Sequence, residues 1–298
     1  MCKEWRHRYV RVNGQNLQNR SDSNLLLSFI NKIILKYGIE SSSAVSVELR
    51  PVKIKPMKER FDLFQIIVRY IEENKQYVSN GDIIVVSSKF VSMSQGSLVT
   101  LKKIKASRKA SQIAEKLNMD ARLAEMVLRE SDFVFSGVPG FILAVRDGVV
   151  APNAGIDRSN VEYGYVIMHP REPFKVAELL RRKFLAYLGK KVGIVINDSR
   201  LMPTRIGTIG IAVAVSGFEP VQDLRGRRDL FGNTLKVTLK ATADSIATAS
   251  NMLMGESNES IPVVIVKNLD VKMSDRSLNW KDLAIEPDQC IYVRGLRK

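Results

Sequence analysis

A chain of 298 residues, 45% apolar and 26% charged, has a soluble globular balance and enough length for one large domain or two modest ones. No apolar run approaches a membrane span, and residues 1–11 lack the apolar core of a secretory signal; Cys2 and Cys290 lie near opposite ends without metal-type spacing, so a reducing cytoplasm is the expected home. The net charge of +15 raises a nucleic-acid or acidic-lipid reading, but the basic residues are dispersed and no zinc-finger spacing, RNP-type strand or helix-turn-helix accompanies them.

In chain order, residues 1–44 read as a basic extension containing a dense apolar stretch at 25–35 that demands a packing partner, with Ser41-Ser42-Ser43 as a linker. A main body spans 45–269 and a tail 270–298 packs on it. The body opens with a strand at 44–49 and a helix at 61–73 whose apolar residues share one face. Asn80-Gly81-Asp82 turns into a strand at 83–87, and helices follow at 107–117 and 120–131, the latter capped by Asp120. Strands are expected at 133–136, 141–146, 149–151 and 165–168, and a helix at 173–188. Further strands follow at 192–196, 209–215 and 235–240, then a small-residue helix at 241–254 and a closing strand at 262–267. The fold class is α+β, with mixed sheets and helices and no regular βα repeat or internal duplication.

Three segments carry chemistry. Asn153-Ala154-Gly155-Ile156-Asp157-Arg158-Ser159-Asn160 follows the apolar run 149–151, and Asn197-Asp198-Ser199 follows the run 192–196, so each sets an acidic residue on a turn just past a strand. Two such carboxylates are natural oxygen ligands for a hard cation such as Mg²⁺ or Mn²⁺, which leaves positions for water and phosphate. Taken singly, each Asp also reads as an ordinary turn cap. Met254-Gly255-Glu256-Ser257-Asn258-Glu259-Ser260 adds a Gly-punctuated acidic turn between a helix and a strand. There is no G-x-x-x-x-G-K-[ST] loop and no G-x-G-x-x-G turn. With only His7 and His169, little material exists for histidine-based nucleophilic or zinc chemistry, and His169 reads as a strand-end residue.

Together with Gly81-Asp82-Ile83-Ile84-Val85-Val86-Ser87-Ser88-Lys89, the stretch 223–232 and Leu253, these segments, in this order over 47–269, resemble the coenzyme F420-0:L-glutamate ligase (F420 gamma-glutamyl ligase) family. The resemblance implies the family's own α+β fold, built as an intertwined homodimer with a nucleotide groove near the interface. It implies GTP-dependent addition of L-glutamate to coenzyme F420-0: phosphoryl transfer makes an acyl phosphate, and the amine of glutamate displaces phosphate, releasing GDP. Two divalent ions, Mg²⁺ or Mn²⁺, would clamp the phosphates, with K⁺ as a further ion.

Carried over from that resemblance, Asp157, Asp198, Ser199 and Glu256 match metal ligands, with Asp157, Asp198 and Arg205 in the catalytic set. Nucleotide contacts match Lys53, Ile54, Lys55, Pro56, Ser88, Lys89, Met93 and Asn160. The turn Met254, Gly255, Glu256, Ser257, Asn258, Glu259, Ser260 and Ile261 completes them. Within the family pattern the cluster Arg225 to Arg228 reads as a contact for anionic small molecules. The chain departs from its relatives where Leu201 and Met202 replace Gly and Arg, and where Met93 replaces Lys; Arg200 is the residue placed to restore the missing cation. The rival readings are a glutamyl ligase or phosphotransferase acting on another carboxylate, and a basic RNA- or lipid-binding protein.

Overall fold

The computed structural model describes residues 46–57 and 59–295. A unit boundary falls between Ser46 and Val47, and the second unit begins at Val47. The apolar stretch expected at 25–35 lies outside the described residues.

The central element is a five-stranded sheet in the order β1 (Glu48–Val52), β12 (Val263–Lys267), β2 (Ile83–Ser87), β8 (Gly193–Leu201), β9 (Thr208–Ser216). Only β2 and β8 run parallel; the other neighbours are antiparallel. Pro51 falls in β1 at the sheet's edge, where a missing N–H is tolerated. The expected strand at 44–49 is thereby displaced, with Ala44 and Val45 outside the described residues. The strands β2 and β12 are almost continuously Val and Ile because both of their faces are covered.

On one face pack α1 (Leu63–Glu73), capped by the Asp62 side chain, and α5 (Pro173–Leu188), with Phe64, Ile67, Leu180 and Phe184 buried against Ile84, Ile194 and Ile196. On the other face lies α6 (Thr242–Met254), whose Ala243, Ile246 and Ala247 meet Val85, Val195 and Val264. Gly210 on β9 lets this helix approach closely: a Cβ there would fall 2.7 Å from the Ala247 carbonyl carbon.

A satellite core joins α3 (Arg108–Lys116) and α4 (Ala121–Glu130), capped by Ser107 and Asp120, to the meander β4 (Phe133–Val138), β5 (Phe141–Arg146), β6 (Val149–Pro152). The pair β3 (Leu98–Thr100) and β7 (Tyr165–Ile167) links this layer to the site. An arm built on β10 (Val221–Asp223) and β11 (Leu239–Ala241) leaves the body. Most of the strand expected at 235–240 is a loose return limb of that arm, joined by single backbone bonds such as Gly226 N–H to Leu235 O at 2.9 Å.

Directly after β2, Ser88 and Lys89 begin a short helix, α2 (Ser88–Ser94). One expectation is corrected: Asp198 and Ser199 do not sit on a turn. Strand β8 continues to Leu201 because β9 pairs with it throughout, Asp198 opposite Ile211 and Ser199 opposite Gly210. An apolar run marks where a strand is buried, not where its ladder ends.

Asp82, at the entrance to β2, forms a buried ion pair with Lys267 of β12, while its backbone carbonyl accepts from the Gly193 N–H of β8 at 2.9 Å. Both side chains are nearly inaccessible, so deleting one leaves an uncompensated charge inside. Asp82→Ala is expected to cost about 3–5 kcal/mol in denaturant unfolding, and Asp82→Leu combined with Lys267→Met to restore most of it; equal losses in both proteins would refute the pair's role.

Candidate active site

The parallel pairing of β2 and β8 sets Ser87 opposite Asn197. The residues just beyond, Ser88 and Asp198, then touch: Ser88 Oγ donates to Asp198 Oδ1 at 2.6 Å. The other carboxylate oxygen of Asp198 accepts from Arg200 Nε at 2.9 Å. Alternation along β8 sends Asn197 and Ser199 to the opposite face, toward α6. There Ser199 Oγ donates to Glu256 Oε1 at 2.6 Å, Asn251 Nδ2 donates to the same oxygen at 2.8 Å, and Asn197 Nδ2 donates to Asn251 Oδ1 at 2.9 Å.

Asp157 arrives from the other layer. Its backbone bridges to Ile167 of β7, and its carboxylate lies 2.6 Å from Lys89 Nζ and accepts from both the N–H and the hydroxyl of Ser159. Asn160, in the left-handed region at φ 56°, donates through Nδ2 to the Ser257 carbonyl at 2.9 Å. This ties the 153–160 segment to the 254–261 turn. The same turn is fastened to the loop after β1, since Ile54 N–H donates to Ser260 O at 2.9 Å and Ser260 Oγ to Ile54 O at 2.7 Å. Gly255 adopts φ 71°, ψ −178°, and a Cβ there would overlap the Glu259 carboxylate, so the turn requires glycine.

These segments enclose a cavity of about 340 Å³. On its wall are Ile54, Lys55 and Pro56; Ser88, Lys89 and Met93; Asn160; Asp198 and Ser199; and the turn Met254 to Asn258 with Ser260 and Ile261. Four of the expected residues stand off this wall. Asp157 reaches it through Lys89. Glu259 folds back to accept from Ser257 N–H at 2.9 Å. Lys53 is exposed, with its backbone N–H bonded to Asn74 Oδ1 at 3.1 Å. Arg205 is exposed on the turn after β8. The Arg225 to Arg228 cluster lies on the arm, with Arg225 paired to Asp223 at 2.6 Å, and does not line this cavity. Arg200 does not take up the missing cation's place on the wall; it is committed to Asp198. Asn251 was not legible as a site residue, and its only signal is that it stands one helical turn before Met254 on α6.

Asp157 and Asp198 each have an internal counter-charge. Burial pushes the Asp157 carboxyl up, but Lys89 and the Ser159 bonds outweigh it and hold the group below the ordinary carboxylate value. Asp198 follows the same logic: burial opposes ionisation, and Arg200 with the Ser88 hydroxyl overcomes it. Among the described residues no three Asp, Glu, His or Cys side chains gather into a self-sufficient metal group. The donor set of Asp198, Ser199, Glu256 and Ser88 is nonetheless all oxygen, which fits a hard divalent ion that completes its shell with water and phosphate.

His169, just after β7, is 8% exposed and is held neutral, its pKa pushed down by burial to about 4. As pH falls below its ordinary 6.5, the unfolded chain takes up that proton before the folded one does, so stability is full above about 6.5 and erodes toward 4. The thermal midpoint should therefore fall less steeply between these pH values in His169→Asn than in the wild type; parallel curves would contradict it.

A family model for F420-0:Gamma-glutamyl ligase matches residues 51–268. The coenzyme F420:L-glutamate ligase of Archaeoglobus fulgidus is 38% identical over 226 residues, which is 76% of this chain and 89% of that one. Its namesake in Methanopyrus kandleri is 35% identical over 75% of this chain and 88% of its own length. That of Methanothermobacter thermautotrophicus is 37% identical over 69% and 82% respectively. With the family model spanning most of the described body, this chain belongs to the F420-0:gamma-glutamyl ligase family.

Proposed function

We propose that this chain is a GTP-dependent ligase that joins L-glutamate to coenzyme F420-0. The observation that carries the reading is the single cavity on whose wall Ser88, Lys89, Asp198, Ser199 and Glu256 converge from separate parts of the chain. A carboxylate does not condense with an amine in water because its oxygen is a poor leaving group. Phosphoryl transfer to the precursor's carboxylate supplies a better one. The nitrogen of glutamate then bonds to the acyl carbon as the carbon–oxygen bond breaks, phosphate leaves with the electron pair, and the amine's proton passes to solvent.

The protein's work in such a reaction is positioning and charge neutralisation. Lys55 and Lys89 bring cationic charge to the cavity wall, and the Ser88 hydroxyl fixes Asp198. The backbone of the 254–261 turn, held open by Gly255, lets a nucleotide lie close to the main chain. Asp198, Ser199 and Glu256 would hold a divalent ion, Mg²⁺ or Mn²⁺, with Asp157 joining once Lys89 turns to phosphate. Such an ion, when bound, neutralises the phosphate oxygens and strengthens phosphate as a leaving group.

The homodimer reading has its own support. The arm between β10 and β11 presents Leu230 and Phe231 at 100% and 90% exposure, with Val237 also exposed. Apolar side chains so fully bared on a projecting limb suit a second copy of the chain. Leu230→Asp with Phe231→Asp should shift the sedimenting species from dimer to monomer, and an unchanged coefficient would oppose this. For the chemistry, Glu256→Ala removes the acceptor shared by Ser199 and Asn251 and should lower GTP-dependent glutamylation by on the order of 10²-fold. Products resolved by mass give the readout; undiminished turnover would refute the role of Glu256, and no glutamylated product from the wild type would refute the ligase reading.

A further inference from the structure

Behind Asp198 lies a second cavity of about 240 Å³, which shares none of its lining residues with the first. Asp198 and Arg200 stand between the two. Asp198 faces the first cavity, and Arg200, bonded to it through Nε, faces the second. We propose that this second cavity is the binding site for the acceptor amino acid, a small amino dicarboxylate of glutamate's size. The proposal rests on the ligase reading and extends it.

Charge distribution is the first support. Arg146, Lys175 and Arg200 bring positive groups to the wall, while Asp147 and Glu172 bring negative ones. That mixture matches a zwitterion carrying a second carboxylate. Arg146 is held in place by an ion pair, its Nη1 buried 2.6 Å from Glu130.

His169 is the second support. The residue is mostly buried and lines the cavity, yet its ring nitrogens are not among the sealed, unpartnered polar atoms of the described residues. An imidazole whose nitrogens retain access to a cavity can meet a polar ligand there. Gly155 keeps the ring close, since a Cβ there would come within 3.0 Å of Nδ1.

Size and closure are the third. The volume is below the range typical of drug-sized or nucleotide sites and suits an amino acid. Phe174 and Val213 supply an apolar stretch for methylene groups. Trp280 roofs the space, seated on the turn at Gly148, where a Cβ would lie 2.6 Å from the indole ring. The roof is anchored by the Asn279–Asp282 capping box and by Arg276, which bridges Glu219 at 2.8 Å and Asp282 at 2.7 Å. An amino acid held here would lie across the Asp198–Arg200 pair from a carboxyl activated in the first cavity, so its amine has to reach past that pair for the amide to form.

The test uses the full chain with L-glutamate as probe, in Trp280→Ala and Arg146→Gln, each checked for an unchanged thermal midpoint. The expected result is a rise of about tenfold or more in KM for L-glutamate with KM for GTP within about twofold of wild type, together with loss of the L-glutamate saturation-transfer NMR signal. KM values for glutamate and GTP that rise together, or an undiminished NMR signal in both variants, would overturn the site. The NMR arm needs no turnover. Glutamate binding that the variants abolish, without ligation by the wild type, would uphold the cavity and refute the ligase reading; no glutamate signal from the wild type would overturn the cavity.

Discussion

The parallel pairing of β2 with β8 is the constraint on which the site depends. It is the one parallel contact in an otherwise antiparallel sheet, and it makes two distant sequence segments end side by side. Ser87 lies opposite Asn197, so the hydroxyl of Ser88 and the carboxylate of Asp198 must meet wherever the sheet forms. The buried Asp82–Lys267 pair sits at the other end of the same strands and resists slippage. Stability and chemistry are thereby coupled through register, not through shared residues.

The cavity's electrostatics follow from the same arrangement. Carboxylates gathered without cations would repel one another and take up protons. Here Lys89 faces Asp157 and Arg200 faces Asp198, so each acid stays ionised in the protein alone. The two cations differ in freedom. Arg200 is almost wholly enclosed between two walls, whereas Lys89 stands at the head of a short helix on a flexible stem. One is a fixture of the frame, and the other stands on a stem that is free to turn.

Much of the frame was legible in the sequence, because period and caps report local physics directly. The strand Ile83–Ser87, the helix Pro173–Leu188 and the Asp120 cap are read from apolar spacing and punctuation. What escaped was set by partners remote in the chain. The length of β8 is decided by β9, and Gly210 permits that pairing to run beneath α6. The helix at Ser88 begins without a side-chain cap, so no local residue announced it. Most of the expected site residues share one wall, but Lys53 and Arg205 face solvent and Asn251 joins them. Motif matching finds residues near a ligand in sequence order; only packing shows which of them turn inward.

The continuation of β8 through Asp198 has a consequence for how this protein can vary. Because neighbouring side chains on a strand leave by opposite faces, the carboxylate of Asp198 turns to Ser88 and Arg200 while the hydroxyl of Ser199 turns to Glu256, so a single peptide unit separates two hydrogen-bond networks on the wall of one cavity. Exchange of one side chain alters one network only. Gain or loss of a single residue between Asn197 and Leu201 would hand every donor to the wrong network at once, so lineages of this fold should tolerate substitution along that segment far more readily than any change in its length.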